Sequence, residues 1–132
     1  MGNQTGGAMN LKELANHLEM EKEEFLELIE LFLDTSTSDL NHLQSAVEKR
    51  EDLNAVKAAH SIKGAAANLG MAEIYELAKK IETEARGNQL DRTLEWIPTL
   101  RRLLDQVAEG LKQEGRKRSA IGGNQKAGDS RQ

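Results

Sequence analysis

Cysteine is absent from the 132-residue chain, which excludes a disulfide framework, a zinc ribbon, a thiolate cluster and a cysteine nucleophile. Long apolar runs are absent too. The longest, such as Leu31-Phe32-Leu33, fall far short of the ~20 residues that span a bilayer. The N-terminus, Met1-Gly2-Asn3-Gln4-Thr5-Gly6-Gly7, has neither a basic n-region nor an apolar h-region, so it does not read as a signal peptide. Proline occurs once, at Pro98. A chain of this length is expected to form one domain with its own core, since domains run to roughly 100–200 residues, and leaves no room for a second, catalytic one. The expectation is a soluble, cytoplasmic domain that does not engage membranes.

Glycine and charge divide the chain alike. Gly2, Gly6, Gly7, Gly115, Gly122, Gly123 and Gly128 lie outside residues 10–113, and only Gly64, Gly70, Gly87 and Gly110 lie inside. The division predicts a helical body over 10–113 between a flexible N-terminal tail, 1–9, and a flexible basic tail, 114–132. The second tail carries five Lys/Arg against two Asp/Glu, so the rest carries 13 against 20, a net −7. A body this acidic does not suit a phosphate backbone, and nucleic acid is not an expected partner. The cluster Arg116-Lys117-Arg118 reads as a solubilising end.

The body is patterned for helices throughout, with no segment of period two. Leu11, Leu14, Ala15 and Leu18 mark a short first helix, with Asn10 as N-cap and Glu13 three residues on. From Glu21 to about Arg50 the stretch Asp34-Thr35-Ser36-Thr37-Ser38-Asp39 looks like a loop by propensity, but phase decides otherwise. At about 100° per residue, Phe25, Leu28, Ile29, Phe32, Ser36, Leu40, Leu43 and Val47 fall within roughly 120°, so one long helix is expected. A third helix spans 52–70, with Asp52 as its cap, Gly70 as its stop and an unusual share of alanine. A fourth, 72–86, shows Ile74, Leu77, Ala78, Ile81 and Ala85 on one face, with Glu82 among the residues off it, and ends at Arg86-Gly87-Asn88. The last, 91–113, has Asp91 as candidate cap, and Pro98 predicts a kink or a separate lead-in before it. The expected fold is all-α: an antiparallel up-down four-helix bundle with a short additional N-terminal helix.

The three histidines separate by phase. His17 and His42 lie off their stripes in polar surroundings and read as exposed. Asp39 and His42 have the acid–histidine spacing of carboxylate-bridged metal bundles, but such sites need two such pairs and two further inward carboxylates, so no metal site is expected. His60 lies roughly 160° from Ile62 on the third helix, facing away from the core. Lys63 and Gly64 stand one turn above it, Val56 and Lys57 one turn below and Ala67 two turns above. A mid-helix glycine costs about 1 kcal/mol relative to alanine. Gly64 gives steric access to the ring, and Lys63 gives positive charge where a phosphoryl group would put negative charge. Two readings stand on spacing alone: a nucleophilic histidine presented to a large partner, or a solvated surface residue beside a glycine that relieves helix crowding.

The run Ala59-His60-Ser61-Ile62-Lys63-Gly64-Ala65-Ala66-Ala67-Asn68-Leu69-Gly70 resembles the signature of histidine-containing phosphotransfer (HPt) domains, H-x-x-K-G followed by small residues and Asn-Leu-Gly. The likeness extends over roughly 10–110. It departs at Ala65, where many members carry serine. The resemblance implies a phosphorelay intermediate of two-component signalling. Its His60 would accept a phosphoryl group through Nε2 from a receiver-domain phospho-aspartate and pass it to another receiver, with Lys63 as electrostatic support and Gly64 as steric opening. Val56, Lys57 and Ala67 are the expected docking rim. Implied partners are response-regulator receiver domains and a histidine kinase or hybrid kinase. The implied carrier is no enzyme and needs no cofactor of its own, Mg²⁺ being expected on the receiver. No Gly-rich phosphate loop suggests an ATP site. Two alternatives stand beside it: the phosphoryl-accepting domain of a chemotaxis-type histidine kinase, and a non-catalytic helical adaptor.

Overall fold

A computed structural model describes the backbone of residues 8–126 and the side chains through Gly115. Six helical elements follow one another: α1 (Leu11–His17), α2 (Lys22–Glu48), α3 (Asp52–Asn68), α4 (Ala72–Arg86), α5 (Leu90–Thr93) and α6 (Trp96–Lys126). α3 packs between α2 and α4, and α6 closes the ring against α2 and α4. The long helices form the antiparallel bundle expected from their period. α2 runs unbroken through its polar middle, and Ser36 is fully buried there with no hydrogen-bond partner for its Oγ. Leu28, placed on the same stripe by its phase, is instead 40% exposed. It lies roughly 80° from Ser36, at the edge of the stripe. No helix among the described residues is long and apolar enough to cross a membrane.

The four tight connections share one device. Glu19, Arg50, Gly70 and Asn88 each take a positive φ, at 57°, 61°, 70° and 61°. The next residue's N–H then reaches back to a carbonyl of the last helical turn: Met20 to Ala15 (3.1 Å), Glu51 to Ala46 (2.8 Å), Met71 to Ala66 (3.0 Å) and Gln89 to Glu84 (2.8 Å). This closure satisfies carbonyls that a helix end leaves unpaired. Only one of the four left-handed positions is glycine. At the end of α4 it is Asn88, not Gly87, that turns left-handed.

Caps fall partly as expected. Asn10 Oδ1 accepts from the Glu13 N–H at 3.0 Å. Asp52 is the first residue of α3 rather than its cap, which is Glu51, and its charge suits the helix N-terminus. Asp91 lies inside α5 and its carboxylate pairs with Arg50 at 2.8 Å, tying α5 to the α2–α3 turn. α5 is the lead-in predicted before Pro98, which sits in the first turn of α6, where a missing N–H leaves no bond unmade.

The body is longer than its glycine-poor stretch. α6 continues to Lys126, and Glu114, read as tail, is 5% exposed and pairs with Lys22 at 2.6 Å. At the other end the Met9 N–H donates to the Gln106 carbonyl at 3.1 Å. The side chains of Arg116, Lys117 and Arg118, and residues 1–7 and 127–132 altogether, lie outside the described set. Gly110 is thus a mid-helix glycine, and a Cβ there would stand 2.5 Å from the Met9 carbonyl oxygen.

Candidate functional site

Ala55, Ala58, Ala59, Ile62, Ala66 and Leu69 bury one side of α3 against its neighbours. The helical period then carries His60 to the opposite side, where its side chain is 62% exposed. The small alanines let α2 and α4 flank α3 closely, and each contributes a carboxylate beside the histidine. From α2, Asp39 accepts a hydrogen bond from Ser61 Oγ at 2.5 Å. From α4 comes Glu82.

Glu82 was read as lying off the apolar face, yet it is 5% exposed and is the hub of the site. Its Oε2 lies 3.0 Å from His60 Nδ1 and accepts from Arg86 at 2.8 Å, while its Oε1 pairs with Lys63 Nζ at 2.8 Å. Burial pushes the Glu82 carboxyl up, but hydrogen bonds from Lys63, Arg86 and His60, with the Lys63 charge, outweigh it and bring it from 4.5 down to about 2. An ionised carboxylate can only accept, so the proton between them belongs to Nδ1. That assigns the Nδ1–H tautomer and leaves Nε2 with the lone pair of the neutral ring. Glu82, Lys63 and Arg86 together carry one net positive charge, which the Asp39 carboxylate on the α2 side balances.

Lys63 stands beside the histidine as its spacing predicts, but its ammonium is engaged by Glu82 and only 24% of its side chain is exposed. At Gly64 an added Cβ would meet nothing within 4 Å. Crowding between helices therefore does not explain this glycine, and the open ground beside His60 is real. The two mid-helix glycines should respond oppositely to alanine. Gly64→Ala is expected to raise stability by about 1 kcal/mol through helix propensity. Gly110→Ala is expected to lower it by about 1 to 2 kcal/mol, because the Met9 backbone must move. Thermal unfolding of both variants checks the pair, and equal shifts of the same sign would refute it.

The expected rim is only partly at the surface. Lys57 and Ala67 are exposed, but Val56 is 8% exposed and belongs to the core, so it is not a surface residue. In phase it lies within roughly 20° of Lys63, at the edge of the buried side of α3 rather than on the outward face. The large apolar side chain exposed on this face is Leu53, 67% exposed and roughly 20° from His60 in phase. His17 and His42 are both exposed, as read. Asp39 accepts its hydrogen bond from Ser61.

A signal for Glu82 was present: it stands one turn after Ala78 and next to Ile81, at the edge of the buried stripe of α4. Arg86, a turn further on, follows from the same spacing.

Comparison with known proteins bears on the family and the fold. The Hpt domain family matches residues 27–110. The phosphorelay intermediate protein rdeA of Dictyostelium discoideum is 26% identical over 94 residues, covering 71% of this chain; the chain spans 37% of that relative's length. The crystal structure of histidine-containing phosphotransfer protein B (HptB) from Pseudomonas aeruginosa PAO1 superposes with a TM-score of 0.72 at 27% identity, covering 84% of this chain and 98% of that one. A helical bundle that presents an H-x-x-K-G histidine to solvent, matched over most of its body, belongs to the Hpt domain family.

Proposed function

We propose that this domain is a phosphorelay intermediate of two-component signalling whose phosphoryl-carrying atom is Nε2 of His60. The observation that supports this most directly is the 3.0 Å contact between His60 Nδ1 and the buried Glu82 carboxylate. It holds the ring proton on Nδ1 and leaves the other nitrogen as nucleophile. In the reaction, the Nε2 lone pair attacks the phosphorus of a receiver's phospho-aspartate. The N–P bond forms, the P–O bond to the aspartate breaks, and the aspartate leaves as a carboxylate. Nδ1 keeps its proton throughout, so the ring becomes cationic, and the Glu82 anion offsets that charge. Transfer to a second receiver runs the same steps in reverse.

Phosphoryl transfer depends chiefly on positioning and on neutralising oxygen charge. Mg²⁺ and the acidic pocket that holds it are supplied by the receiver in this reading, and the bundle supplies the nucleophile with Lys63 beside it. Leu53, Lys57, Gly64 and Ala67 form the surface around the ring that meets the receiver.

The test offers two donors separately: a phosphorylated receiver, and ATP with a histidine-kinase catalytic domain. Labelling of His60 from the receiver is expected, and labelling from the kinase domain alone would sink the relay reading. Lys63→Ala should slow transfer by about tenfold, in line with loss of one charge-assisted contact. Gly64→Leu should block transfer from the receiver while the helical signal in circular dichroism is unchanged. Wild-type transfer by the leucine variant would refute the access argument.

A further inference from the structure

We propose that Arg86 is a positioning residue for phosphoryl transfer: by holding Oε2 of Glu82, it frees Lys63 to leave Oε1 and neutralise the phosphoryl oxygens on His60. The inference rests on the relay reading above and assigns a role to a residue of α4 that lies outside the H-x-x-K-G motif.

The argument starts from a conflict at Lys63. Its position three residues after His60 puts it within one turn of the ring. In the resting site, however, its Nζ is bound to Glu82 Oε1 at 2.8 Å. A cation engaged by a carboxylate contributes little to a second anion. To meet a phosphoryl group on Nε2, the ammonium must leave Oε1.

What it leaves behind decides whether the move is feasible. Glu82 is 5% exposed, and a buried carboxylate stripped of its cation is strongly unfavourable. Glu82 has a second cation. Arg86 Nη2 donates to Oε2 at 2.8 Å, from one turn further along the same helix. When Lys63 departs, Oε2 retains Arg86 and the His60 Nδ1–H, so the carboxylate stays anionic and partnered. Arg86 also competes for the same charge and repels Lys63, which loosens the Lys63 bond before any phosphoryl group arrives.

The two oxygens thus divide the work. Oε2 is the permanent side, shared by His60 and Arg86, and Oε1 is the side from which a cation is released. Exposure agrees with the division of roles. Arg86 is 62% exposed and reaches the carboxylate from solvent, whereas Lys63 is 24% exposed and lies beside the ring. On phosphorylation two negative charges arrive at Nε2 and one positive charge moves toward them. No further reactant is required.

A double-mutant cycle tests this. The rate of phosphoryl transfer from a phosphorylated receiver is measured for the full chain, Arg86→Gln, Lys63→Ala and the double variant. Melting temperature and helical content are recorded in parallel. Arg86→Gln is expected to slow transfer by about tenfold, and Arg86→Lys to recover most of the loss. In the Lys63→Ala background, assayed at a temperature where the melting curve shows the double variant folded although Glu82 has lost both cations, the effect of Arg86→Gln should shrink to within about twofold, because there is no longer a lysine to release. The ¹⁵N shift of the Lys63 ammonium should move when the wild-type chain is phosphorylated with phosphoramidate, and should move less in Arg86→Gln.

Three results would overturn the proposal. Wild-type transfer by Arg86→Gln would remove the role. Equal slowing with and without Lys63 would mean that Arg86 touches the phosphoryl group itself or supports the fold, not Lys63. A wild-type chain that takes no label from any receiver would refute the relay reading beneath it, a failure distinguishable from the other two because it precedes any variant.

Discussion

His60→Gln is expected to abolish phosphoryl labelling that is acid-labile and alkali-stable, and to leave the helical content of the domain unchanged. Glutamine has similar reach but an amide nitrogen without a basic lone pair, so no N–P bond forms. The substitution removes little that holds the bundle together. The His60 side chain is 62% exposed, and its polar link to another helix is the Nδ1 contact with Glu82. Glu82 keeps Lys63 and Arg86, so no buried charge is left bare. His17 and His42 stay in place as exposed internal controls. Label that survives in the glutamine variant would mean that one of these, or a hydroxyl, carries the phosphoryl group, and the assignment to His60 would fall. The measurement is phosphoryl transfer from a labelled receiver, with acid and alkali treatment of the product and circular dichroism of the variant.

The second large effect is on stability against acid. The Glu82 carboxyl titrates near 4.5 when free and near 2 in the fold. A group whose folded pKa is depressed contributes stability above its unfolded pKa and loses it as pH falls through the folded value. The contribution of Glu82 is therefore complete above about pH 4.5 and disappears by about pH 2. At 1.36 kcal/mol per unit it amounts to about 3 kcal/mol, a large fraction of the stability of an ordinary domain. Glu82→Gln should be less stable than the wild type at pH 7 by a comparable amount, and the gap between the two should close between pH 4.5 and 2. Urea unfolding at a series of pH values checks this. A gap that stays constant across that range would show that Glu82 is not a carboxylate stabilised by its partners.

These two expectations draw on different kinds of legibility. His60 as an outward-facing residue follows from the period of α3 alone, because its angle from Ile62 depends only on the helix that carries both. The same holds for the continuity of α2 through its serine and threonine run. There the apolar phase on either side of residues 34–39 survives only if the segment between them is helical. The lead-in before Pro98 is likewise a local consequence of a ring without an N–H.

Turn chemistry was less legible. Glycine is the residue expected where φ is positive, and Gly70 meets the expectation. Glu19, Arg50 and Asn88 do not, because the closing hydrogen bond and the packing of the next helix hold the backbone there in spite of the Cβ. The reach of the body was underestimated for a related reason. Composition marks residues 114–132 as a tail, but Glu114 is held by Lys22, on a helix far away in the sequence.

The amino-acid sequence by itself determined the helical class, the approximate extents of the first four helices and the outward direction of His60, since each follows from a period or a cap within one segment. Only the tertiary structure decided what surrounds the imidazole. Glu82 is 22 residues from His60, and a helical wheel records angles about one axis without saying which side chain of the next helix is brought alongside. The packing of α4 on α3 buries that carboxylate, gathers Lys63, Arg86 and Nδ1 around it, and so converts an exposed histidine into one with a defined proton and a free nitrogen.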